Sequence, residues 1–318
     1  MKIVVVDGYT LNPGDLSWEN LKKLGDCVIY DRTNAEEVFE RVSNAEIIIT
    51  NKVLIDRSLI DRLPQLKYIG VLATGYNVVD VHAACERNII VTNIPAYSTN
   101  SVAQLVFSHI LNLVNRVELH AQSVAAGDWT RNPDFAYWKT PQTELAGKTL
   151  GVVGLGRIGS RVAEIGQAFG MKVIFQNRSP KTEIQNGLIQ KNLAEVFAES
   201  DFVSLHCPLT AENNAFVNQH LIDTMKPTAV LINTGRGGLV NEADLAQALN
   251  TGQIAAACLD VLSTEPASVE NPLILAKNCF ISPHMAWATF EARQRLMNIA
   301  VENMICFQQG SPQNVIKA

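Results

Sequence analysis

Six cysteines in 318 residues are too few and too scattered to frame the fold: Cys27, Cys85, Cys207, Cys258, Cys279 and Cys306 contain no C-x-x-C pair. That spacing argues against a disulfide scaffold, a zinc ribbon and any other metal site, and the mostly apolar surroundings read as buried reduced thiols. No apolar stretch approaches the ~20 residues a helical membrane span needs. The opening run Met1 to Val6 stops at Asp7-Gly8 and reads as a first strand, too short for a secretory leader, so the expected location is cytoplasmic. Charge of neither sign dominates; a formal net charge of -5 gives no general attraction to nucleic acid or to an anionic membrane, and neither is expected as a partner. Low-complexity segments, linker-like stretches and short-period repeats are missing as well.

What is present is a 47% hydrophobic chain long enough for two cores. Its most informative feature sits in the middle: the apolar run Leu150 to Val153 leads into Gly154, Gly156 and Gly159, and an amphipathic pattern follows from Arg157 to Phe169. A strand ending in G-x-G-x-x-G that opens a helix supplies a tight turn, close backbone approach and a positive helix end for a pyrophosphate. A second strand, Lys172 to Phe175, completes the start of a βαβ unit. Gly154, Gly156, Arg157, Ile158 and Gly159 are therefore candidate dinucleotide contacts. About 150 residues precede this turn, so the N-terminal part must build a different domain, the obvious candidate being one that binds substrate.

The first hundred residues alternate short apolar runs with helical patterns, which predicts a small doubly wound parallel sheet. Ligands of such sheets meet the loops at the carboxyl ends of strands, here Asn51-Lys52 and the turn Ala73-Thr74-Gly75. Gly75 would let backbone N–H groups approach an anion. Ser101 to Ala126 reads as one long helix, with Val102, Leu105, Val106, His109, Leu113 and Val117 on a broad apolar side; a hinge helix at a subunit interface and a buried core helix fit equally. Later strands at Phe202 to His206, Ala229 to Asn233, Ala256 to Leu259 and Cys279 to Ile281 predict a six-stranded parallel sheet. The expectation is an α/β protein of two doubly wound parallel-sheet domains with a cleft between: a flavodoxin-like substrate domain, 1–99 plus 287–318, and a Rossmann nucleotide-binding domain, 100–286.

Three polar groups follow strands on the edge that the glycine turn marks: Arg236 in Asn233-Thr234-Gly235-Arg236-Gly237, Glu265 after Asp260-Val261, and His284 in Ser282-Pro283-His284. Hydride transfer between a nicotinamide and a carbonyl carbon needs a proton donor for the carbonyl oxygen, and imidazolium is suited to that near neutral pH. A carboxylate such as Glu265 would favour the protonated ring, and the Arg236 guanidinium could orient a 2-keto acid. Taken singly, each has a duller explanation as a cap, a surface charge or a turn; their shared edge carries the reading.

These residues resemble the D-isomer-specific 2-hydroxyacid dehydrogenases, and the resemblance spans essentially the whole chain. It rests on Gly154-Leu155-Gly156-Arg157-Ile158-Gly159, Ser204-Leu205-His206-Cys207-Pro208-Leu209-Thr210, Asn233-Thr234-Gly235-Arg236-Gly237, Leu259-Asp260-Val261 and Ser282-Pro283-His284, in that order. The resemblance implies Arg236, Glu265 and His284 as catalytic residues. It also implies His206, Cys207, Pro208, Thr234 and Asp260 along the cofactor, Ala73 to Gly75 on the substrate carboxylate, and a homodimer. Whether His206 would act through its ring or its backbone stays open. Asp7 to Asp15, Ala73 to Asn77, Pro133-Asp134-Phe135 with Trp138, and His284-Met285-Ala286-Trp287 are most similar to the glycerate dehydrogenase and hydroxypyruvate reductase branch. That branch implies hydroxypyruvate and D-glycerate as the acid pair, with glyoxylate as a second substrate. The alternatives are a D-lactate or phosphoglycerate type of the same family, or a non-catalytic NAD-sensing protein resembling corepressors.

One departure is informative. A dinucleotide site for NAD expects an acid at the end of the second strand, and this chain has Gln176-Asn177-Arg178-Ser179. With no carboxylate to repel a 2′-phosphate and with Arg178 and Ser179 able to bind one, the corner puts NADP(H) somewhat ahead of NAD(H). In the competing arrangement Asn177 accepts from the ribose and Arg178 lies over the adenine.

Overall fold

The computed structural model describes residues 1–179 and 187–317. The chain divides into two compact units, Met1–Ser98 with Ala288–Ala318, and Thr99–Trp287. No helix among the described residues is long and apolar enough to cross a membrane.

The first unit is built on β1 (Lys2–Val5), β2 (Asp26–Ile29), β3 (Ile47–Thr50), β4 (Tyr68–Val71) and β5 (Ile90–Thr92). Among the described residues these make a five-stranded sheet in the order β2-β1-β3-β4-β5, parallel throughout. Ile47 to Thr50 and Tyr68 to Val71 are buried at every position, which explains why these strands read as continuous apolar runs and not as alternating patterns. Helix starts are set by short acids: Asp56 accepts from Leu59 N and Asp80 from Ala83 N. The final helix, Phe290–Gln308, packs against this sheet through Tyr68 and Phe307, whose ring centroids are 4.7 Å apart. It also brings in a nearly buried arginine: Arg293 donates to both Asp15 oxygens at 2.7 and 2.6 Å and to the Leu11 carbonyl at 3.0 Å. Removing Asp15 would strand that guanidinium, which is why the pair pins the loop after β1 firmly.

In the second unit, β6 (Thr149–Val153), β7 (Lys172–Gln176), β8 (Leu188–Gln190), β9 (Phe202–Leu205), β10 (Val230–Asn233), β11 (Ala256–Leu259) and β12 (Cys279–Ile281) run parallel. Their order is β12-β11-β10-β9-β6-β7-β8, so the winding reverses between β6 and β9. Crevices at such a reversal, outside the carboxyl ends of the strands, are where these sheets take ligands. Apolar clusters cover both faces: Val203, Leu205, Leu231 and Leu259 lie in one, and Val152, Phe175, Ile232 and Cys258 in the other.

Three expectations need correction. The second sheet has seven strands among the described residues, not six; Leu188-Ile189-Gln190 is a three-residue edge strand with one buried side chain, too short to carry a period. The single helix expected over Ser101 to Ala126 is two, Thr99–Asn115 and Val117–Ala125, broken where Arg116 takes a left-handed backbone at φ 48°. An arginine in that region has no local sequence signature, and the break turns Val117 outward to 71% exposure. Finally, the cysteines are all free, but Cys258 alone is buried; Cys85 is exposed on the helix Val81–Glu86, and the others are half-buried.

Candidate active site

The glycine turn is demanded by local space. Gly154 has φ 96°, and a β-carbon there would come within 2.7 Å of Cys207 N and 2.8 Å of the His206 carbonyl carbon. At Gly159 a β-carbon would run into the Gly154 carbonyl, so the helix Arg157–Ala168 starts hard against the strand. Gly156, the residue before that helix, faces nothing within 4 Å. No side chain caps the helix start, whose first N–H groups have no intrahelical acceptor. A bare positive helix end beside open space suits a pyrophosphate.

The expected nucleotide contacts divide by how fully their polar atoms are engaged. Asn177, at the end of β7, accepts from Leu155 N at 2.7 Å through Oδ1, tying that strand to the glycine turn and leaving its Nδ2 as a donor. Arg178 and Ser179 beside it are exposed. His206 is tied at 2.8 Å between Nε2 and Ser204 Oγ, and burial pushes its imidazole down to about 4, so it is neutral at ordinary pH. Burial raises the Cys207 thiol, which makes it a poor nucleophile; Pro208 is exposed. Thr234, at the end of β10, is buried, and among the described residues its Oγ1 has no hydrogen-bond partner. A hydroxyl left unpaired at the ligand edge is an atom waiting for a polar group. The turn, the open helix end and Thr234 together fit a dinucleotide.

The three residues expected to be catalytic lie on the loops after β10, β11 and β12. His284 Nδ1 is 2.6 Å from Glu265 Oε2, while Glu265 Oε1 accepts from Leu262 N at 3.1 Å. Arg236 is exposed and donates from Nη1 to the Gly235 carbonyl at 2.8 Å. Asn233 shapes its loop, accepting from Gly235 N at 3.0 Å and donating to the Arg236 carbonyl at 2.8 Å. His284 itself holds φ 51°, a left-handed conformation unusual for any residue with a β-carbon. Asp260 keeps it there: its carbonyl accepts from His284 N at 2.8 Å, Oδ1 accepts from Ser282 Oγ at 2.6 Å and Met285 N at 2.9 Å, and Oδ2 accepts from Ala286 N at 2.7 Å. Asp260, expected along the cofactor, thus has both carboxylate oxygens engaged by the His284 loop. Ser282 and Asn233 were not singled out from sequence; both lie in the quoted motifs, which was the available signal.

The first unit has its own candidate loops. The Asp7 carboxylate accepts from Asn51 N at 2.7 Å, Lys52 N at 2.5 Å and Val53 N at 3.1 Å, fixing the loop after β3. Asn51 is 4% exposed and, among the described residues, its Nδ2 has no partner. The Ala73-Thr74-Gly75 turn is braced from Asn93 and Ile94: Thr74 Oγ1 donates to the Ile94 carbonyl at 2.8 Å and Asn93 Nδ2 to the Thr74 carbonyl at 2.7 Å.

A parallel sheet with this winding, and a glycine turn at its reversal, define a dinucleotide-binding scaffold. The chain belongs to the D-isomer specific 2-hydroxyacid dehydrogenases, whose NAD binding domain matches residues 107–286. It is 48% identical over 321 residues to the hydroxypyruvate reductase of Blautia hydrogenotrophica, covering 99% of each chain. It is also 40% identical over 285 residues to the glycerate dehydrogenase of Methylorubrum extorquens, covering 89% of each. The structure of an NADPH-dependent glyoxylate/hydroxypyruvate reductase from Sinorhizobium meliloti in complex with NADP and malonate matches with TM-score 0.83 and 30% identity, over 99% of this chain and 96% of that one.

Proposed function

We propose that this protein reduces hydroxypyruvate to D-glycerate at the expense of a reduced nicotinamide, with glyoxylate as a second substrate. The observation that carries the chemistry is the 2.6 Å contact between His284 Nδ1 and Glu265 Oε2 on the edge of the sheet that bears the glycine turn. The choice of acid rests on the hydroxypyruvate reductase and glycerate dehydrogenase relatives.

With Nδ1 turned to Glu265, the remaining ring nitrogen, Nε2, is the one that gives a proton to the carbonyl oxygen of the keto acid. Glu265 fixes the ring orientation. Arg236, exposed at its loop, takes the carboxylate and carbonyl oxygens. In the first unit, Ala73 to Gly75 and the loop at Asn51-Lys52 are read as contacts to the acid, Asn51 through its Nδ2, which has no partner among the described residues. The nicotinamide, when bound, supplies the hydride. Reduction adds that hydride to the carbonyl carbon and the His284 proton to its oxygen; oxidation of D-glycerate returns both.

Gly154, Gly156, Arg157, Ile158 and Gly159 would hold the pyrophosphate, with Thr234 and the backbone of His206 to Pro208 further along the cofactor. NADPH is read as the better reductant, because Asn177 is neutral, its Oδ1 is occupied by Leu155 N, and Arg178 and Ser179 are exposed beside it. The reading includes a cytoplasmic homodimer. Phe135, Trp138 and Trp129 are 93, 69 and 53% exposed in the segment after Val117–Ala125, and the reading places the second copy against them. Following the loss of reduced-nicotinamide absorbance with hydroxypyruvate, in parallel with NADPH and NADH, tests the proposal. Turnover is expected with hydroxypyruvate above other 2-keto acids, and none with either cofactor would refute it.

A further inference from the structure

His109 is out of character with its surroundings. It lies on the helix Thr99–Asn115 between the buried Val106, Phe107 and Ile110, where a leucine would satisfy the packing. Its Nε2 is instead 3.2 Å from Ser282 Oγ. Ser282 has a single hydroxyl proton, and of its two acceptors the Asp260 carboxylate at 2.6 Å takes it over the Leu259 carbonyl at 3.4 Å. The Ser282 oxygen must then accept from His109. Burial keeps the His109 ring below its ordinary pKa against the opposing pull of Asp260, so the ring is neutral and its one proton is on Nε2. The result is a directed chain of donors from His109 to Ser282 to Asp260, the residue that also receives Met285 N and Ala286 N and whose carbonyl holds His284 N. Two turns earlier on the same helix, Ser101 Oγ donates to the Ala286 carbonyl at 2.5 Å, so the helix grips the His284 loop at two points.

We propose that His109 is a positioning residue: by donating to Ser282 it fixes the Asp260 carboxylate, and through it the left-handed backbone from which His284 is presented. This rests on the reading of His284 as proton donor. Hydrogen bonds in series polarise one another, so loss of the first donor weakens the grip on the whole loop.

The test compares His109→Leu, His109→Gln, Ser282→Ala and the double variant His109→Leu/Ser282→Ala in the full-length protein, measuring kcat and KM for hydroxypyruvate together with thermal unfolding. His109→Leu should lower kcat about 5- to 10-fold, the scale of one lost hydrogen bond, with KM and the unfolding midpoint little changed. His109→Gln, whose amide N–H can reach Ser282, should recover most of the loss, and the double variant should be no worse than Ser282→Ala alone. Wild-type kcat in His109→Leu, equal losses in the leucine and glutamine variants, or additive losses in the double variant would each overturn the inference. His284→Ala separates the two ideas. If it retains turnover, the reading of His284 falls; if it is inactive while His109→Leu is unimpaired, only the role of His109 falls.

Discussion

Gly237 and Leu262 meet backbone to backbone: a β-carbon on Gly237 would run into the Leu262 carbonyl group and the Ser263 nitrogen. The loop after β10, which carries Arg236, is thereby pressed against the loop after β11, where Leu262 N donates to Glu265. Gly237→Ala should force the loops apart and lower stability by about 1–3 kcal/mol, the usual penalty of overpacking. It should also impair turnover more than cofactor binding. Unfolding by denaturant and steady-state kinetics on the same preparation check both.

His284→Ala should reduce kcat by about 10²- to 10⁴-fold, the contribution of a general acid, while cofactor affinity stays close to wild type. Glu265→Gln keeps the shape of the partner but not its charge, and should lie between the two. Fluorescence titration with reduced nicotinamide beside kinetics distinguishes a lost acid from a lost fold. Near-normal turnover in His284→Ala would remove the assignment.

At the cofactor corner, Arg178→Ala should weaken kcat/KM for NADPH about 10- to 100-fold, the range of one charge-assisted hydrogen bond to phosphate, with little change for NADH. Asn177→Asp can still accept from Leu155 N but repels a 2′-phosphate, so the NADPH to NADH ratio should fall. A ratio that stays put in both variants would show that these residues do not select the cofactor.

His206 makes a pH prediction whose sign follows from its lowered value of about 4. The unfolded chain takes up a proton near 6.5 that the folded chain refuses until about 4, so this residue's contribution to stability is full above pH 6.5 and is lost as pH falls toward 4. Urea unfolding at pH 7.5, 6, 5 and 4.5 should show a decline that is shallower in His206→Asn. Parallel declines in the two proteins would remove His206 as the source.

Phe135→Ser with Trp138→Ser should shift the protein toward a monomer if the exposed aromatic segment meets a second copy. Light scattering coupled to gel filtration reads this directly, and an unchanged mass would mean the segment does something else.

Much of this architecture was legible because parallel strands buried on both faces write themselves as unbroken Val and Ile runs, as at Ile47-Ile48-Ile49 and Leu231-Ile232. The glycine turn was legible because steric need is recorded in residue type: only glycine fits at 154 and 159. What escaped was structure made by single polar atoms across long sequence separations. Nothing around His109 announces a partner 173 positions away at Ser282. Asp7 likewise gives no hint that its carboxylate gathers three amides from Asn51 to Val53. The helix break at Arg116 was hidden for another reason, since Val117-Glu118-Leu119 continues a helical pattern and local propensity is the same on both sides.

The hydrogen bonds named above around the His284 loop all arise within Thr99–Trp287: Ser101, His109, Asp260 and Glu265 belong to the same unit as the glycine turn. The support of the proposed proton donor is therefore encoded in one continuous stretch of the gene. Substitutions in Met1–Ser98, where the proposed acid contacts Asn51, Lys52 and the Ala73 turn lie, leave the partners of these named bonds in place. A search for variants with new substrates can accordingly begin in the first unit, with Ser101, His109, Asp260, Glu265 and His284 held constant.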